Sequence, residues 1–438
     1  MIFASTRNPA DRVDFATALF RGLAPDGGLY HPVATPSLGE LIAGLEPGTP
    51  FVDLAAELTF GLLHDELSRE EATRISTNAF GFAPRLQPLD GGLQLLELFH
   101  GPSCAFKDFG ASFMAACVEH FLARRERHAV VLTATSGDTG SAVAQAFHGR
   151  ENISVVILYP SGRVSPLQEK QLTTIGGNVA ALEVHGSFDD CQRMVKEAFV
   201  DPRLNEQIAL TSANSINLGR LLPQAFYYVW AGVQLRETGP APVFCVPSGN
   251  FGNLTAGVMA WRWGMPARGF LATTNANDVV PEYLQSGTFT PRPSVQTLSN
   301  AMDVGNPSNF ERLSALFHHD VEQMRATIEG AVISDDETLA TIARYHGDAG
   351  RFLDPHTATG VLASERYRRL HPQAADHPLI CLATAHPGKF LEVVEQATGV
   401  TPPLPPQLRE ALERPKVAVQ ISNQTAELGD YLLREFAG

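Results

Sequence analysis

Lys107 lies in the stretch HGPSCAFKDFGASFM, residues 100–114, with Phe106 and Phe109 close by and Asp108 next to it. The apolar run 93–99 reads as a strand that ends at Gly101-Pro102, a pair that cannot continue a regular ladder. Downstream, residues 111–121 place Phe113, Ala116, Cys117, His120 and Phe121 at helical spacing. The lysine is therefore expected at a loop-to-helix junction in an aromatic setting. Burial and the positive end of a helix both disfavour an ammonium ion and shift the amine toward its neutral, nucleophilic form. A neutral amine is what a Schiff base to a carbonyl requires. A lysine snorkelling from a half-buried helix start gives the same local pattern, and this stretch alone leaves both open.

Three further loops follow expected strands and precede expected helices: residues 135–141 (TSGDTGS), 247–253 (PSGNFGN) and 384–388 (TAHPG). In a parallel α/β sheet ligands sit at such places. Glycines let the backbone approach a ligand, and the first amides of a helix donate to an anion without needing a cation. Taken singly, each loop also fits a plain turn or helix cap. No two glycines are spaced G-x-G, so a dinucleotide fingerprint fails. The only Gly-Lys pair, Gly388-Lys389, is followed by Phe390, which excludes a Walker loop. There is no G-x-S-x-G, and no histidine has metal-ligand spacing with Glu, Asp or Cys. One aromatic-flanked lysine together with phosphate-binding loops points to pyridoxal phosphate.

The elements that must position these residues alternate. Strands are expected at 129–133, 155–159, 179–184, 243–246 and 379–383, with helices at 141–147, 165–172, 188–199, 219–235 and 254–263. This is the pattern of a doubly wound α/β protein with parallel strands. Residues 1–90 read as a separate, mainly helical unit, with helices at 10–21 and 54–63 and a solvated polar turn at Ser5-Thr6-Arg7. The region 91–400 carries the ligand loops, and the proline-rich segment 401–406 leads into a C-terminal tail, 401–438.

The 438 residues carry a net charge of −14, which argues against nucleic acid as a partner. Five scattered cysteines without C-x-x-C read as buried thiols of a reducing compartment. No run approaches the ~18 apolar residues of a membrane span. The start has no signal-peptide core, and a cytoplasmic location is expected.

The stretches HGPSCAFKDFGASFM, TATSGDTGSAVAQAF, TSANSINLGR, PSGNFGNLTAG, NAMDVGNPSNFER and ATAHPGKF together resemble the threonine synthase family. STRN and GLAPDGGLY near the start resemble the opening domain of its longer bacterial and fungal branch. The likeness runs from about residue 4 to 395 and fades after about 400. The resemblance implies the fold type II (tryptophan synthase β-like) architecture of pyridoxal-phosphate enzymes, with two α/β lobes behind the N-terminal domain. It implies that Lys107 carries the cofactor and shuttles protons, and that Gly249, Asn250, Phe251, Gly252 and Asn253 hold the cofactor phosphate. It places Asp138 near the 3′-oxygen and Thr384 at the pyridine nitrogen. Ser136, Thr139, Asn214, Ser215 and Arg220 are implied to hold the substrate's carboxylate and phosphate. No metal is implied. The implied reaction converts O-phospho-L-homoserine and water to L-threonine and phosphate, in a monomer or homodimer. A sister lyase of the same fold, such as a dehydratase or phospholyase, differs in having other demands on Asn214, Ser215 and Arg220. A non-catalytic pyridoxal-binding relic would have no use for Lys107 and three intact loops together. For Arg220 a surface salt bridge is the alternative reading.

Overall fold

The structure, a computed structural model, describes residues 1–124, 128–135 and 137–437. The chain opens with a small antiparallel sheet of β1 (Phe3–Ser5), β2 (Arg12–Val13) and β3 (Tyr30–Pro32), with β1 in the middle. Helices Phe15–Arg21, Gly39–Gly44, Phe51–Leu63 and Arg69–Ala79 complete this unit. The first helix is shorter than the expected 10–21. Asp14 caps it by accepting from the Thr17 amide, and the residues before it are drawn into β2 by pairing with β1.

From β4 (Arg85–Leu89) onward the chain builds two larger sheets. One contains β5 (Leu93–Glu97), β10 (Val243–Pro247), β11 (Gly269–Thr274), β12 (Ile328–Val332) and β13 (Leu379–Ala383), in the order β12-β11-β10-β13-β5-β4. All its neighbours run parallel except β4, an antiparallel edge. The second sheet is wholly parallel and contains β6 (Ala129–Ala134), β7 (Ile153–Pro160), β8 (Val179–His185), β9 (Leu210–Ser212) and β14 (Val419–Ser422), in the order β14-β8-β7-β6-β9. β6, β10 and β13 are buried along their whole length, which is why they read as unbroken apolar runs rather than alternating ones. Four strands of the smaller sheet, β6 to β9, are an insertion between β5 and β10, and the fifth, β14, is added after β13.

Two expectations are corrected. Residues 219–235 do not form one long helix but a short turn of helix, Leu218–Leu221, and a longer helix, Gln224–Gln234, broken at Pro223, which has no N–H to continue the ladder. Residues 401–438, expected as a linker and a short tail, carry three regular elements. Helix Pro406–Glu413 packs Leu408 against Leu167 and Cys104, while β14 and helix Thr425–Phe436 join the smaller sheet, with Ile421, Leu428 and Leu432 meeting Leu182, Val184 and Met194 in its core.

Candidate active site

The functional segments each follow the carboxyl end of a parallel strand: the lysine loop β5, the helix that Asp138 opens β6, the 213–220 segment β9, the 248–253 loop β10 and Thr384 β13. Lys107 is the first residue of helix Lys107–Ala123. The loop before it is tied down on several sides. Phe106 donates its amide to the Thr384 carbonyl at 2.8 Å, and the Asp108 carboxylate accepts from the Ser103 amide at 2.9 Å. Gly101 is required here, since a Cβ at that position would lie 2.4 Å from an Asp108 oxygen. Phe109, fully buried two residues after Lys107, anchors the helix start against the N-terminal unit. Its ring meets Phe51 and Phe82 edge-on at 5.2 and 4.9 Å, and Tyr227 at 5.3 Å.

The Lys107 side chain is 18% exposed, and Nζ lies 3.5 Å from Asp138 Oδ2. Burial pulls the amine below the usual lysine range; Asp138 opposes that shift, while Lys389 and Arg220 add to it. Asp138 opens helix Asp138–Phe147. Burial pushes its carboxyl up, but the Lys389 and Lys107 ammonium groups and hydrogen bonds from Lys389 and Gln168 outweigh that and hold it well below the carboxylate range. Lys389 Nζ lies 2.9 Å from Asp138 Oδ1, and Gln168 Nε2 donates to the same oxygen at 2.9 Å. Burial lifts the neighbouring Asp108 carboxyl to about 6.

Helix Gly252–Arg262 follows the loop after β10, and Phe251 at its start has a left-handed φ of 60°. The amides of Gly249, Asn250, Phe251, Gly252, Asn253 and Leu254 donate to no acceptor among the described residues. Asn250 Oδ1 accepts from the Ser308 amide and hydroxyl at 3.0 Å each, which ties the loop to the 306–309 turn. Gly249 is packed so closely that a Cβ would meet the Ala301 carbonyl at 2.7 Å. Asn253 Oδ1 accepts from Tyr227 and Tyr228 at 2.6 and 2.8 Å, and its buried Nδ2 has no partner among the described residues. Successive free amides at a helix start make a cradle for a phosphate dianion. The Thr384 hydroxyl likewise has no partner among the described residues. Amides for a phosphate, a neutral hydroxyl for a ring nitrogen and an amine of lowered basicity for an aldehyde together fit pyridoxal phosphate.

Ser136 lies outside the described residues. Thr139 is half-buried at the start of the Asp138 helix, and its hydroxyl has no partner among the described residues. Asn214 spends its amide on the Ala134 carbonyl at 2.9 Å, holding its loop to the end of β6. The Ser215 carbonyl accepts from Asn309 at 3.4 Å, which leaves its hydroxyl unused by the described residues. Arg220 is not a surface ion-pair residue. It is 2% exposed, donates Nη1 to the Ala213 carbonyl, packs Nε against Gly110, and forms no ion pair among the described residues. Its Nε has no acceptor at all among them. Burial brings its pKa down to about 10, with Asp108 opposing.

Several site residues were not singled out from the sequence. Lys389 drew notice only as part of a failed Walker pair, yet its side chain is fully buried against Asp138. Gln168 belongs to a helix that had no assigned ligand role. Arg312, fully buried, donates to the carbonyls of Tyr30 and Ile216 and to Asn309, which joins the N-terminal unit to the 214–217 loop. Asn309 and Arg312 stand within NAMDVGNPSNFER, and that motif was the available signal. Ser5-Thr6-Arg7 is not a solvated turn. Ser5 is buried on Asp26, while Thr6 and Arg7 bind Glu311, the neighbour of Arg312.

A family model described as "Pyridoxal-phosphate dependent enzyme" matches residues 83–384. Models for the threonine synthase N terminus and C-terminal regions match residues 2–80 and 357–431. Threonine synthase of Haemophilus influenzae is 43% identical over 430 residues, covering 98% of each chain. The crystal structure of PLP-bound threonine synthase from Brucella melitensis has a TM-score of 0.92 at 35% identity and covers 100% of both chains. That of threonine synthase from Escherichia coli has a TM-score of 0.90 at 39% identity, covering 99% of this chain and 100% of its own. The likeness therefore continues past β14 rather than fading after about 400.

Proposed function

Because this chain belongs to the threonine synthase family of pyridoxal-phosphate-dependent lyases, we propose a division of labour among its residues in turning O-phospho-L-homoserine and water into L-threonine and phosphate. Lys107 Nζ is the cofactor-bearing amine and, once free, the proton carrier. The amides from Gly249 to Asn253 would hold the cofactor phosphate, the Thr384 hydroxyl would donate to the ring nitrogen, and Asp138 would lie near the 3′-oxygen. When bound, pyridoxal phosphate supplies an electron sink for the charge left at the substrate's carbons, moderated by a neutral rather than carboxylate partner at its nitrogen.

Lys107 suits the proton role because burial lowers its basicity while Asp138 keeps it oriented. Nζ takes the α-proton of the substrate and returns protons farther along the carbon chain. Ser136, Thr139 and Asn214 orient the carboxylate, and Ser215 with Arg220 holds the phosphate that leaves. Phe106, whose ring lies 5.5 Å from Lys107 Nζ, helps keep bulk water away from the reacting carbons.

The observation that carries the choice of substrate is Arg220, a buried guanidinium with no carboxylate partner among the described residues. A dehydratase has no second phosphate to hold, whereas a paired-donor guanidinium matches one. The same reading has the enzyme act on a small molecule in the reducing cytoplasm, as a monomer or homodimer and without nucleic acid. Five buried free thiols and the net charge of −14 support it.

The test is an absorbance spectrum of the purified protein before and after O-phosphohomoserine, with phosphate release followed alongside. A visible band that shifts on substrate as phosphate and threonine appear supports the reading. In Lys107→Ala the band is expected to vanish and turnover to fall by roughly a thousandfold or more. Undiminished turnover in that variant refutes the assignment of Lys107.

A further inference from the structure

Three cations and two carboxylates meet at Lys107. Asp138 and Lys107 itself open two different helices, Lys389 comes from the turn after β13, and Arg220 comes from helix Leu218–Leu221. Asp108 is the second carboxylate, and the nearby Cys104 thiol is kept neutral because burial pushes it up to about 12. The three cations are not equally committed. Lys389 is fully buried, lies 2.9 Å from Asp138 Oδ1 and donates to the Ser103 carbonyl at 2.6 Å. Arg220 is fixed by the Ala213 carbonyl and by its packing on Gly110. Lys107 reaches only the other oxygen of Asp138, at 3.5 Å, and alone of the two lysines retains exposure, 18% against 0%.

We infer that Lys389 is a positioning residue of this site: a fixed counter-ion that holds Asp138 in place and, by occupying that carboxylate, leaves Lys107 free to give up its proton. This rests on the reading of Lys107 as the cofactor-bearing lysine. One carboxylate shared between two ammonium groups is engaged first by the closer one, and the second lysine then sits beside an already neutralised ion pair rather than an unpaired anion. Gln168 completes the arrangement by donating to the oxygen that Lys389 already holds, so Asp138 is fixed from the side away from Lys107. Lys389 engages Asp138 and the Ser103 carbonyl, and it acts on Lys107 through the shared carboxylate and through its charge.

The test is a pH titration of the lysine-bound cofactor absorbance in the holoenzyme, for wild type, Lys389→Met, Lys389→Arg, Asp138→Asn and the double variant Lys389→Met/Asp138→Asn. Loss of the Lys389 charge is expected to raise the midpoint by about one pH unit or more, a tenfold change in proton affinity. Lys389→Arg keeps the charge and is expected to stay near the wild-type midpoint. Asp138→Asn is expected to lower the midpoint, and adding Lys389→Met to it to raise it again. The double variant removes both buried charges together, so it remains measurable if Lys389→Met alone does not fold. A midpoint within about 0.3 unit of its parent in either Lys389→Met background overturns the inference. An equal rise in Lys389→Arg does so too, because shape rather than charge would then be responsible. Absence of any lysine-bound band in the wild type is a different failure, which removes the Lys107 assignment beneath it.

Discussion

Replacing Arg220 with methionine separates what this residue does for the substrate from what it does for the fold. Burial brings the guanidinium from 12.5 to about 10, a shift that corresponds to roughly 3 kcal/mol against the folded state. The folded value lies below the unfolded one, so this cost is present at every pH at which the folded group is charged, neutral pH included. Methionine removes it and fills most of the same space. The loss on the other side is the hydrogen bond to the Ala213 carbonyl, and leaving that acceptor unpaired costs about 1–3 kcal/mol. The variant should therefore be as stable as wild type, or more stable by up to about 2 kcal/mol. Catalysis should move the opposite way. Two charge-assisted hydrogen bonds to a phosphate, each worth about 1.5–3 kcal/mol, correspond to a loss of roughly a hundredfold to ten-thousandfold in kcat/KM. Denaturant melts of the cofactor-loaded protein and steady-state phosphate release measure both halves. A variant that loses more than about 3 kcal/mol of stability while keeping kcat/KM within tenfold of wild type shows a structural arginine and refutes the phosphate role.

Gly249→Ala is expected to weaken cofactor binding about tenfold or more with the fold intact, because the new Cβ meets backbone atoms of Ala301 and Met302 that cannot swing aside; titrating the variant with pyridoxal phosphate checks it. Asp108→Asn addresses pH. Burial lifts the folded carboxyl to about 6, above its unfolded value of 3.8, so ionised Asp108 opposes folding above that pH and the opposition is relieved as pH falls through the window between them. The asparagine variant should melt above wild type at pH 8, and the difference should close by about pH 4; a constant difference across that range contradicts it. Deleting residues 415–438 strips Ile421, Leu428 and Leu432 from the smaller sheet, at about 1.5–3 kcal/mol per side chain, and a large drop in melting temperature is expected.

Most strands next to the site loops are legible because each is a short apolar run that stops at glycine, proline or a small polar residue. β6, β10 and β13 lie within a residue of where the pattern puts them. Other elements carry no such signal. β9 has three residues and is defined by its pairing with β6, and β14 is a lone strand in a stretch that local composition reads as tail. The break at Pro223 was visible as a residue type, but the apolar spacing on both sides of it masks the interruption. In the site, Lys107 and the glycine loops show themselves through local chemistry. The burial of Lys389, Arg220 and Arg312 does not, because a basic residue inside and one outside look alike until the partners from distant segments are in place. The Thr6 and Arg7 contacts with Glu311 belong to that class as well.

The order of strands has a consequence for how the chain is made. β13 sits between β10 and β5, and β14 covers the outer edge of β8, so the last quarter of the sequence supplies an interior strand to one sheet and an outer strand to the other. On the ribosome, β5 emerges early with only β4 to pair with, and its second edge stays open until residues 379–383 arrive. β8 waits longer still for residues 419–422. Open strand edges are templates for the wrong neighbour, and pairings so distant in sequence form slowly. Both sheets therefore depend on residues 379–422 to cover these edges, and a nascent chain still lacking them presents two strand edges open to mispairing.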